Sequence, residues 1–204
     1  MGHREKLLAG AKRCLYERGY ARTTARDIVA ASGTNLASIG YHFGSKEALL
    51  NAAMIEAIDE WGEELEGIVA TDTNIDADTD PMERFESIWT RVIDSFEAHR
   101  PLWVASFEAF APAQHSPELR EQLAEGQEEG RFGLAALFQR LDESMVDERS
   151  ARTVGSFYLA LLSGLMVQWL VDPERAPSGR DMAEALRTIL ASVRPAEKAG
   201  DERE

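Results

Sequence analysis

Side chains and helix starts that could bind a phosphate backbone lie between positions 24 and 46 of the 204-residue chain. Thr24 and Asn35 are favoured helix N-caps, and the first backbone N–H groups of a helix are free to bind phosphate oxygens. Tyr41, His42 and Lys46 follow in one short segment, and each side chain can donate a hydrogen bond to a phosphate. The segment therefore carries the donors that contact with a nucleic-acid backbone requires.

Two short predicted helices, at residues 24–32 and 35–42, flank a tight turn at Gly33. This is the spacing of a helix-turn-helix, whose second helix enters the major groove of DNA with small or polar residues outward. We expect Ile39 and Phe43 to point to the core. The residues that we expect to face outward are Leu36, Ala37, Ser38, Gly40 and Tyr41. An ordinary helical hairpin has the same spacing, so that alternative stays open.

The charge of the chain is divided between a basic N-terminal segment and an acidic remainder. The formal net charge is −14, which by itself opposes binding to phosphates. Residues 1–47, however, hold eight Lys and Arg against four acidic residues, a net charge of +4. The remainder holds 14 basic and 32 acidic residues, a net charge of −18. This division favours DNA binding by the N-terminal segment and a different role for the rest.

Residues 19–50 resemble the N-terminal domain of TetR-family transcriptional regulators. The resemblance lies in residues at matching positions: Gly19-Tyr20, Thr23-Thr24, Ile28-Val29, Gly33, Tyr41-His42-Phe43, Gly44-Ser45, Lys46-Glu47 and Leu49-Leu50. It implies a homodimeric DNA-binding regulator, most simply a repressor that binds a palindromic operator. The length and helix order of the whole chain are also similar to those of the family.

The resemblance further implies which residues contact double-stranded DNA. Leu36, Ala37 and Ser38 would lie nearest the bases. The residues that would hold the phosphate backbone are Thr24, Asn35, Tyr41, His42 and Lys46. Gly40 stands where many members have a tyrosine that contacts DNA, so one contact is missing here. Because the three base-facing side chains are not strong bidentate readers, we expect an affinity that rests on phosphates and is sensitive to salt.

Hydrophobic periodicity predicts an all-α fold, and no segment alternates as a strand would. A content of 44% hydrophobic against 28% charged residues is enough for a core. We expect an N-terminal three-helix helix-turn-helix DNA-binding domain over residues 1–47 and a larger helical ligand-binding and dimerisation domain over 48–204. The polar residues 71–80 predict a loop, and 195–204 a disordered tail. Helices are predicted at about 46–68, from Pro81, from Pro101, from Ser116-Pro117, from 147 to Asp172 and at about 180–193.

The predicted helix that ends at Asp172-Pro173 is apolar around most of its circumference, so a single neighbouring helix would not cover it. It is either a central helix of the monomer or part of a dimer interface. The resemblance favours the dimer, because the last two helices of the family form a four-helix bundle between subunits. The interface residues expected on this basis are Phe157, Leu161, Leu165, Trp169, Leu186 and Ile189.

Aromatic residues are concentrated in the predicted middle helices, where they form either the core or the lining of a pocket. The family binds small effectors between these helices, so the resemblance keeps the pocket as an alternative. Its expected lining residues are Trp89, Phe96, His99, Trp103, Phe107 and Phe110. Such a lining is largely apolar and favours a small hydrophobic effector.

Other chemistries have weaker support in the sequence. Five residues match the ligand positions of a calcium-binding loop: Asp72, Asn74, Asp76, Asp80 and Glu83. Ala77 stands where that loop needs glycine, so a solvated loop is favoured. The single cysteine, Cys14, excludes an internal disulfide and favours a buried, inert thiol. Because the motifs of zinc proteases, phosphate-binding loops and serine hydrolases are absent, we expect no enzyme, no metal site and no cofactor.

The sequence also predicts the cellular location of the protein. No uninterrupted apolar run reaches the roughly 18 residues of a membrane-spanning helix, and charged residues stand where a signal peptide would be apolar. We therefore expect a cytoplasmic protein without membrane contact. Two alternatives to an effector-released repressor stay open. One is a constitutive DNA-binding protein whose larger part only dimerises, and the other is a helical small-molecule-binding module with a degenerate DNA-binding part.

Overall fold

The computed structural model describes residues 2–71 and 80–193, with the side chains of residues 68–71 excepted. Every regular element within these ranges is a helix, as the hydrophobic periodicity predicts. The all-α fold class is therefore confirmed. The predicted tail, and the predicted loop up to residue 79, lie outside the described residues apart from Thr71, which is helical.

Three helices form the N-terminal part, called the head below: α1 (His3–Arg18), α2 (Ala25–Ser32) and α3 (Leu36–Phe43). The start of α2 is held by a capping box. Oγ1 of Thr24 accepts a 3.2 Å hydrogen bond from the backbone N–H of Asp27. The Asp27 carboxylate accepts a 2.9 Å hydrogen bond from the backbone N–H of Thr24 in return. The predicted start of the second helix is confirmed.

The turn between α2 and α3 depends on local backbone chemistry. Gly33 ends α2 with a φ of 65°, a left-handed conformation that glycine adopts without strain. Oδ1 of Asn35 then caps α3 by accepting a 3.0 Å hydrogen bond from the Ser38 N–H. Gly10 lets α1 approach α2, because a Cβ there would lie 2.7 Å from Cβ of Ser32. These contacts hold the three helices in a helix-turn-helix arrangement.

A long helix, α4 (Lys46–Thr71), joins the head to the rest of the chain. Its start is capped by Ser45, whose Oγ accepts a 3.0 Å hydrogen bond from the Ala48 N–H. Its end lies three residues beyond the predicted end at residue 68. Leu49 and Leu50 in its first turns are fully buried and pack with residues of the head. The start of α4 therefore completes the core of the head.

The remaining helices form the body. They are α5 (Pro81–Asp94), α6 (Arg100–Glu108), α7 (Phe110–Ala113), α8 (Pro117–Gln139), α9 (Glu148–Ser150), α10 (Ser156–Val171) and α11 (Gly179–Val193). Pro81 and Pro117 stand at the first position of their helices and Pro101 at the second position of α6, where the N–H that proline lacks would have no partner within the helix. The helix starts predicted at these prolines are confirmed. The largest hydrophobic cluster continues from Leu7 in α1 to Ala183 in α11 and links the head to the body.

The helix predicted from residue 147 contains one irregular turn near its start. A 3₁₀ turn (Glu143–Met145) follows α8, and a π-helical turn (Ala151–Gly155) leads from α9 into α10. A Cβ at Gly155 would lie 2.1 Å from the carbonyl oxygen of Arg131, so the π turn accompanies a close approach to α8. The predicted helix from residue 147 to Asp172 is confirmed, because the chain is helical from Glu148 to Val171. The π turn within it was not predicted, because it accompanies contact with a helix distant in sequence.

Candidate DNA-binding surface and ligand-binding cavities

The outer face of α3 consists of side chains that leave the core. Leu36 is 52% exposed and Tyr41 is 83% exposed, with Ala37 and Gly40 also exposed between them. Ile39 is buried at 5% exposure. These orientations agree with the helix-turn-helix prediction. They present a surface of small, aliphatic and phenolic groups with few obstacles to entering a groove about 12 Å wide.

Ser38 corrects one expectation, because its side chain is buried at 8% exposure instead of facing outward. Its Oγ donates a 3.2 Å hydrogen bond to Oδ1 of Asn35, the same atom that accepts from its backbone N–H. With Asn35 as the N-cap, Ser38 is the third residue of the helix, and a polar side chain there turns back toward the cap. Ser38 therefore stabilises the start of α3 and does not lie on its outer face.

The predicted phosphate-binding side chains differ in how many of their hydrogen-bond donors are already used within the protein. The hydroxyl of Thr24 donates a 2.6 Å hydrogen bond to the Asp27 carboxylate and is used in the cap. Nζ of Lys46 donates a 3.1 Å hydrogen bond to the Thr23 carbonyl and lies 3.2 Å from the Glu47 carboxylate. The ammonium has three donors, so this contact orients Lys46 beside the start of α2 without using all of them.

Tyr41 and His42 are adjacent at the exposed end of α3. Their rings meet edge to face with centroids 4.8 Å apart. His42 is half-buried, whereas the Tyr41 hydroxyl extends into solvent. This end of α3 therefore offers an aromatic donor at the surface beside the long α4 helix.

Three contacts between residues far apart in the sequence connect the head to the body or to α4. Nζ of Lys12 donates hydrogen bonds of 2.7 and 2.6 Å to carboxylates of α4. Oε2 of Glu108, at the end of α6, accepts a 2.9 Å hydrogen bond from the backbone N–H of Ala21. The third contact is a buried hydrogen bond between Tyr20 and Asn51. The partners are 31 to 87 residues apart in the sequence, so no local signal could have revealed them.

The aromatic residues proposed to line an effector pocket fill the core instead. Trp89, Phe96 and Trp103 are at most 2% exposed. The Phe96 ring lies 6.0 Å from Trp103 and 5.6 Å from Trp169 between centroids, so these rings pack against one another. The expectation that these three residues line a pocket is therefore corrected for this structure, because ring-to-ring packing occupies the space between the helices.

The other expected pocket residues lie nearer the surface. Nδ1 of His99 is 3.1 Å from the Ser95 carbonyl, and its Nε2 is 3.6 Å from the Glu64 carboxylate. Phe107 and Phe110 have ring centroids 6.3 Å apart, and Phe110 is 43% exposed. Neither of the two cavities described below is lined by these residues or by the buried tryptophans.

One cavity of about 390 Å³ lies between α4 and α8 and is called the α4/α8 groove below. Its lining residues are Ala52, Ile55, Glu56, Asp59, Gln122, Glu125, Gly126 and Glu129. Desolvation and the surrounding carboxylates raise the pKa of Asp59 above its ordinary value. Oε1 of Gln122 is buried without a hydrogen-bond partner in the described structure. Both effects show an excess of acceptors, which suits a cationic or hydrogen-bond-donating ligand.

A second cavity of about 590 Å³ lies between α8 and the start of α10. Its lining residues are Glu128, Arg131, Phe132, Glu148, Arg152 and Ser156. The carboxylates and guanidinium groups are equal in number here, and Arg131 is paired with Glu128. This cavity therefore has no excess of either charge.

The surface of α10 and α11 is unusually apolar. The exposed large side chains are Phe157, Val167, Val171, Ile189, Leu190 and Val193. Leu161 and Leu186 are half-buried, whereas Leu165 and Trp169 are only 2% and 7% exposed. The assignment of Leu165 and Trp169 to a dimer surface is corrected, because they lie on the side of α10 that faces Phe96 and the core of the same subunit.

The segment Glu148–Val171 is long and apolar enough to cross a membrane by length and composition, with a hydropathy of 1.7 over its most apolar window. This finding differs from the expectation that no helix could span a membrane, which was based on uninterrupted apolar runs. The mean hydropathy of a window can be high even where single polar residues interrupt the run. Only 28% of that window is buried within the monomer. A core helix of a soluble protein meets the same criterion, so this single helix is weak evidence for a membrane span.

The residues considered for metal or redox chemistry have structural surroundings of their own. Asp72, Asn74 and Asp76 lie outside the described residues, while Asp80 caps α5 by accepting hydrogen bonds from two backbone N–H groups. In the described ranges no three His, Cys, Asp or Glu side chains are grouped as metal ligands would be. Cys14 is 2% exposed, and desolvation raises the pKa of its thiol, which disfavours the reactive thiolate.

Comparison with known proteins identifies both parts of the chain. Residues 7–53 match the family model described as bacterial regulatory proteins, tetR family. Residues 81–195 match the model described as BetI-type transcriptional repressor, C-terminal. Together the two models cover the head, the start of α4 and nearly all of the body.

Individual transcriptional regulators also match parts of the chain. The HTH-type transcriptional repressor AcnR of Corynebacterium efficiens is 38% identical over 66 residues, which cover 29% of this chain and 35% of AcnR. The chain thus spans about a third of AcnR in this match. The HTH-type transcriptional regulator BetI of Stenotrophomonas maltophilia is 26% identical over 167 residues, covering 82% of this chain and 79% of BetI.

A solved structure shares the fold over most of this chain. The crystal structure of multidrug binding protein EbrR complexed with proflavin has a TM-score of 0.62 and 22% identity, covering 92% of this chain and 99% of EbrR. The helix-turn-helix geometry, the two family models and this fold agree with the motif in residues 19–50. The chain belongs to the TetR family of transcriptional regulators, which are non-enzymatic DNA-binding proteins.

Proposed function

We propose that this chain is a cytoplasmic repressor that binds a palindromic operator as a homodimer and leaves it when a small effector binds. The observation that carries the DNA-binding part is the outer face of α3, where Leu36, Ala37, Gly40 and Tyr41 are exposed above a buried side. Regulators of this family bind operator DNA and act as dimers, with ligands bound in the C-terminal domain.

In the proposed complex α3 enters the major groove. Leu36 and Ala37 lie nearest the bases, where they make apolar contacts only. The phosphates on both sides are bound by helix N-termini and by side chains at the ends of α3 and α4. The residues concerned are Thr24, Asn35, Tyr41, His42 and Lys46. Because such contacts release counterions, operator affinity is expected to fall steeply as salt rises.

Dimerisation is assigned to the exposed apolar residues of α10 and α11. Phe157, Val167 and Val171 line one helix, and Ile189 and Leu190 line the next. An apolar patch of this extent on a monomer marks an interaction site. Packing two such helix pairs together forms a four-helix interface, which buries the patch and holds two heads at fixed separation.

The effector is assigned to the α4/α8 groove and to the class of small organic cations. The groove combines carboxylates of Glu56, Asp59 and Glu125 with apolar contacts from Ala52 and Ile55. EbrR, which shares the fold, was crystallised with proflavin, a planar organic cation. This assignment replaces the hydrophobic effector expected from the sequence, because the aromatic residues on which that expectation rested are packed in the core.

Selection of bound duplexes from random DNA tests the DNA-binding part. We expect enrichment of a palindrome, and a gel shift in which Lys46→Ala weakens binding to every sequence. Arg120→Ala removes the same charge from an exposed site on α8 and is expected to have little effect. If no sequence is enriched at moderate salt, the repressor assignment fails.

Titration of proflavin into the free protein tests effector binding, because a planar cation also intercalates into duplex DNA. We expect proflavin fluorescence to change with the protein alone. We also expect the operator to be released at proflavin concentrations that leave an unrelated DNA-binding protein on its own duplex. Asp59→Asn with Glu125→Gln should weaken proflavin binding about tenfold, whereas Glu184→Gln on α11 should not. If proflavin does not bind, the cation assignment fails. If it binds without releasing the operator, a constitutive DNA-binding protein is the better description.

A further inference from the structure

The first turn of α1 contacts the recognition helix α3 at two points. Nδ1 of His3 lies 3.4 Å from Oγ of Ser38, near the start of α3. The guanidinium carbon of Arg4 lies 5.3 Å from the centre of the Phe43 ring, at the last residue of α3. This is within the range of a cation–π contact. The two side chains therefore flank α3 along most of its length.

Arg4 carries an unpaired charge beside this helix. The residue is exposed, and no ion pair within the described part of the chain includes it. Three other cations of the head differ in this respect. Lys12, Arg18 and Lys46 each lie within 4 Å of a carboxylate. The guanidinium of Arg4 thus has its donors free for a partner from outside the protein.

The dimensions of DNA place a phosphate beside such a group. An α-helix with its side chains is about 10–12 Å across, and the major groove is about 12 Å wide. A helix in the groove therefore fills it from wall to wall. A cation held about 5–6 Å from a ring on the flank of that helix meets the sugar–phosphate strand that borders the groove.

We propose that Arg4 is a DNA-phosphate contact and that the ring of Phe43 positions it at the edge of the groove. This role rests on the proposed insertion of α3 into DNA. Contact with the ring orders the long Arg side chain before DNA arrives, so less rotational freedom is lost on binding. Phosphate oxygens are the same at every base pair, so the contact adds affinity without sequence preference.

Measurement of operator binding by the full chain over a series of salt concentrations tests this role. Two copies of Arg4 act in a dimer, so Arg4→Ala should lower the slope of log K against log salt by about 2. We expect roughly tenfold weaker binding at 150 mM salt, for the operator and for an unrelated duplex alike. Arg120→Ala, with the same change of charge on α8, should keep the slope and affinity of the wild type.

Two further variants separate positioning from charge. Arg4→Lys keeps the charge and should keep the slope, but loses the planar stacking group and part of the affinity. Phe43→Leu should weaken binding while Arg4 keeps its charge. Thermal unfolding of each variant checks that the head is folded.

The outcomes distinguish this role from the proposed function. If Lys46→Ala weakens binding but Arg4→Ala keeps the wild-type affinity and slope, the contact by Arg4 is overturned and the repressor assignment stands. If Arg120→Ala reduces affinity and slope as much as Arg4→Ala, the effect is one of overall charge and the contact is also overturned. If the folded wild-type chain binds no DNA, both are overturned.

Discussion

The hydroxyl of Tyr20 donates a 2.8 Å hydrogen bond to Oδ1 of Asn51, and both side chains are buried at the junction of the head with α4. Tyr20 is 3% exposed and Asn51 is fully buried. Desolvation, with a contribution from the charge of Glu47, raises the pKa of Tyr20 to about 12. The phenol therefore remains a donor throughout the physiological range and fixes the loop after α1 against α4.

Removal of the Tyr20 hydroxyl is expected to destabilise the fold. Tyr20→Phe leaves Oδ1 of Asn51 buried without a partner, which costs about 1–3 kcal/mol in free energy of unfolding. Urea denaturation followed by circular dichroism measures the loss. Tyr41→Phe is the matched control, because that hydroxyl is on a ring 83% exposed, and it should change stability by less than about 0.5 kcal/mol. Equal effects at both positions would contradict the role of the buried hydrogen bond.

Replacement of Lys12 is expected to loosen α1 from α4. Burial alone lowers the pKa of Lys12, but hydrogen bonds and charges from Glu56 and Glu60 outweigh it and raise the pKa above 10.5. The partners are 43% and 60% exposed, so solvent screening keeps the loss in Lys12→Met to about 0.5–1.5 kcal/mol.

The salt and pH dependence identify the source of this loss. The stabilisation is complete below pH 10.5 and is lost as pH rises through the raised pKa of Lys12. The stabilisation by Lys12 should also be smaller at 1 M salt than at low salt, and urea denaturation at the two salt concentrations measures the difference. Lys6→Met, at an exposed lysine of the same helix, should show neither dependence.

Acid is expected to weaken the cap of α2. Hydrogen bonds from the Thr24 hydroxyl and backbone hold the pKa of Asp27 below its ordinary value of 3.8. The stabilisation is therefore present above pH 3.8 and is lost as pH falls through the lowered value. Asp27→Asn should be less stable than wild type at pH 7, and the difference should narrow below pH 3.8.

Denaturation midpoints measured from pH 7 to pH 3 test this prediction. Asp94→Asn removes an exposed carboxylate without capping hydrogen bonds in the described structure, and it controls for the change of net charge. If the difference in denaturation midpoint between wild type and Asp27→Asn stays constant down to pH 3, the Asp27 carboxylate does not stabilise the start of α2.

Two glycines in contacting elements are expected to respond in opposite ways to alanine. A Cβ at Gly155 would lie 2.1 Å from the Arg131 carbonyl oxygen, so Gly155→Ala should cost about 1–3 kcal/mol by overpacking. Nothing lies within 4 Å of a Cβ at Gly133 in α8, so Gly133→Ala should stabilise by up to about 1 kcal/mol. Thermal unfolding of the two variants measures these changes in stability. If Gly155→Ala leaves the stability unchanged, the π turn and α8 can move apart at little cost.

A charge on α10 is expected to prevent dimerisation. Val167 is 44% exposed on the proposed interface, and a buried glutamate there would lack a partner, so Val167→Glu should yield a monomer. Leu141→Glu is the matched control, because Leu141 is 43% exposed and lies just after α8, outside the two helices of the proposed interface. Analytical ultracentrifugation gives the oligomeric state. A Val167→Glu variant that dimerises as tightly as wild type would place the interface elsewhere.

The head was the most predictable part of the molecule. The caps by Thr24 and Asn35 and the turn at Gly33 are set by hydrogen bonds and backbone preferences within three or four residues. Such local chemistry is legible in the sequence, and the starts of α2 and α3 agree with it. The helix starts at Pro81 and Pro117 were predictable for the same reason.

The helices, their caps and the DNA-binding motif can be predicted from the amino-acid sequence, because they depend on neighbours along the chain. Which apolar side chains meet each other depends on how the helices pack in three dimensions. This packing placed Trp89 and Trp103 in the core and turned Trp169 away from the surface of α10. It also paired Tyr20 with Asn51 and brought Arg4 against α3. Periodicity shows that a side is apolar, but burial depends on which helix packs there, and that is a property of the assembled fold.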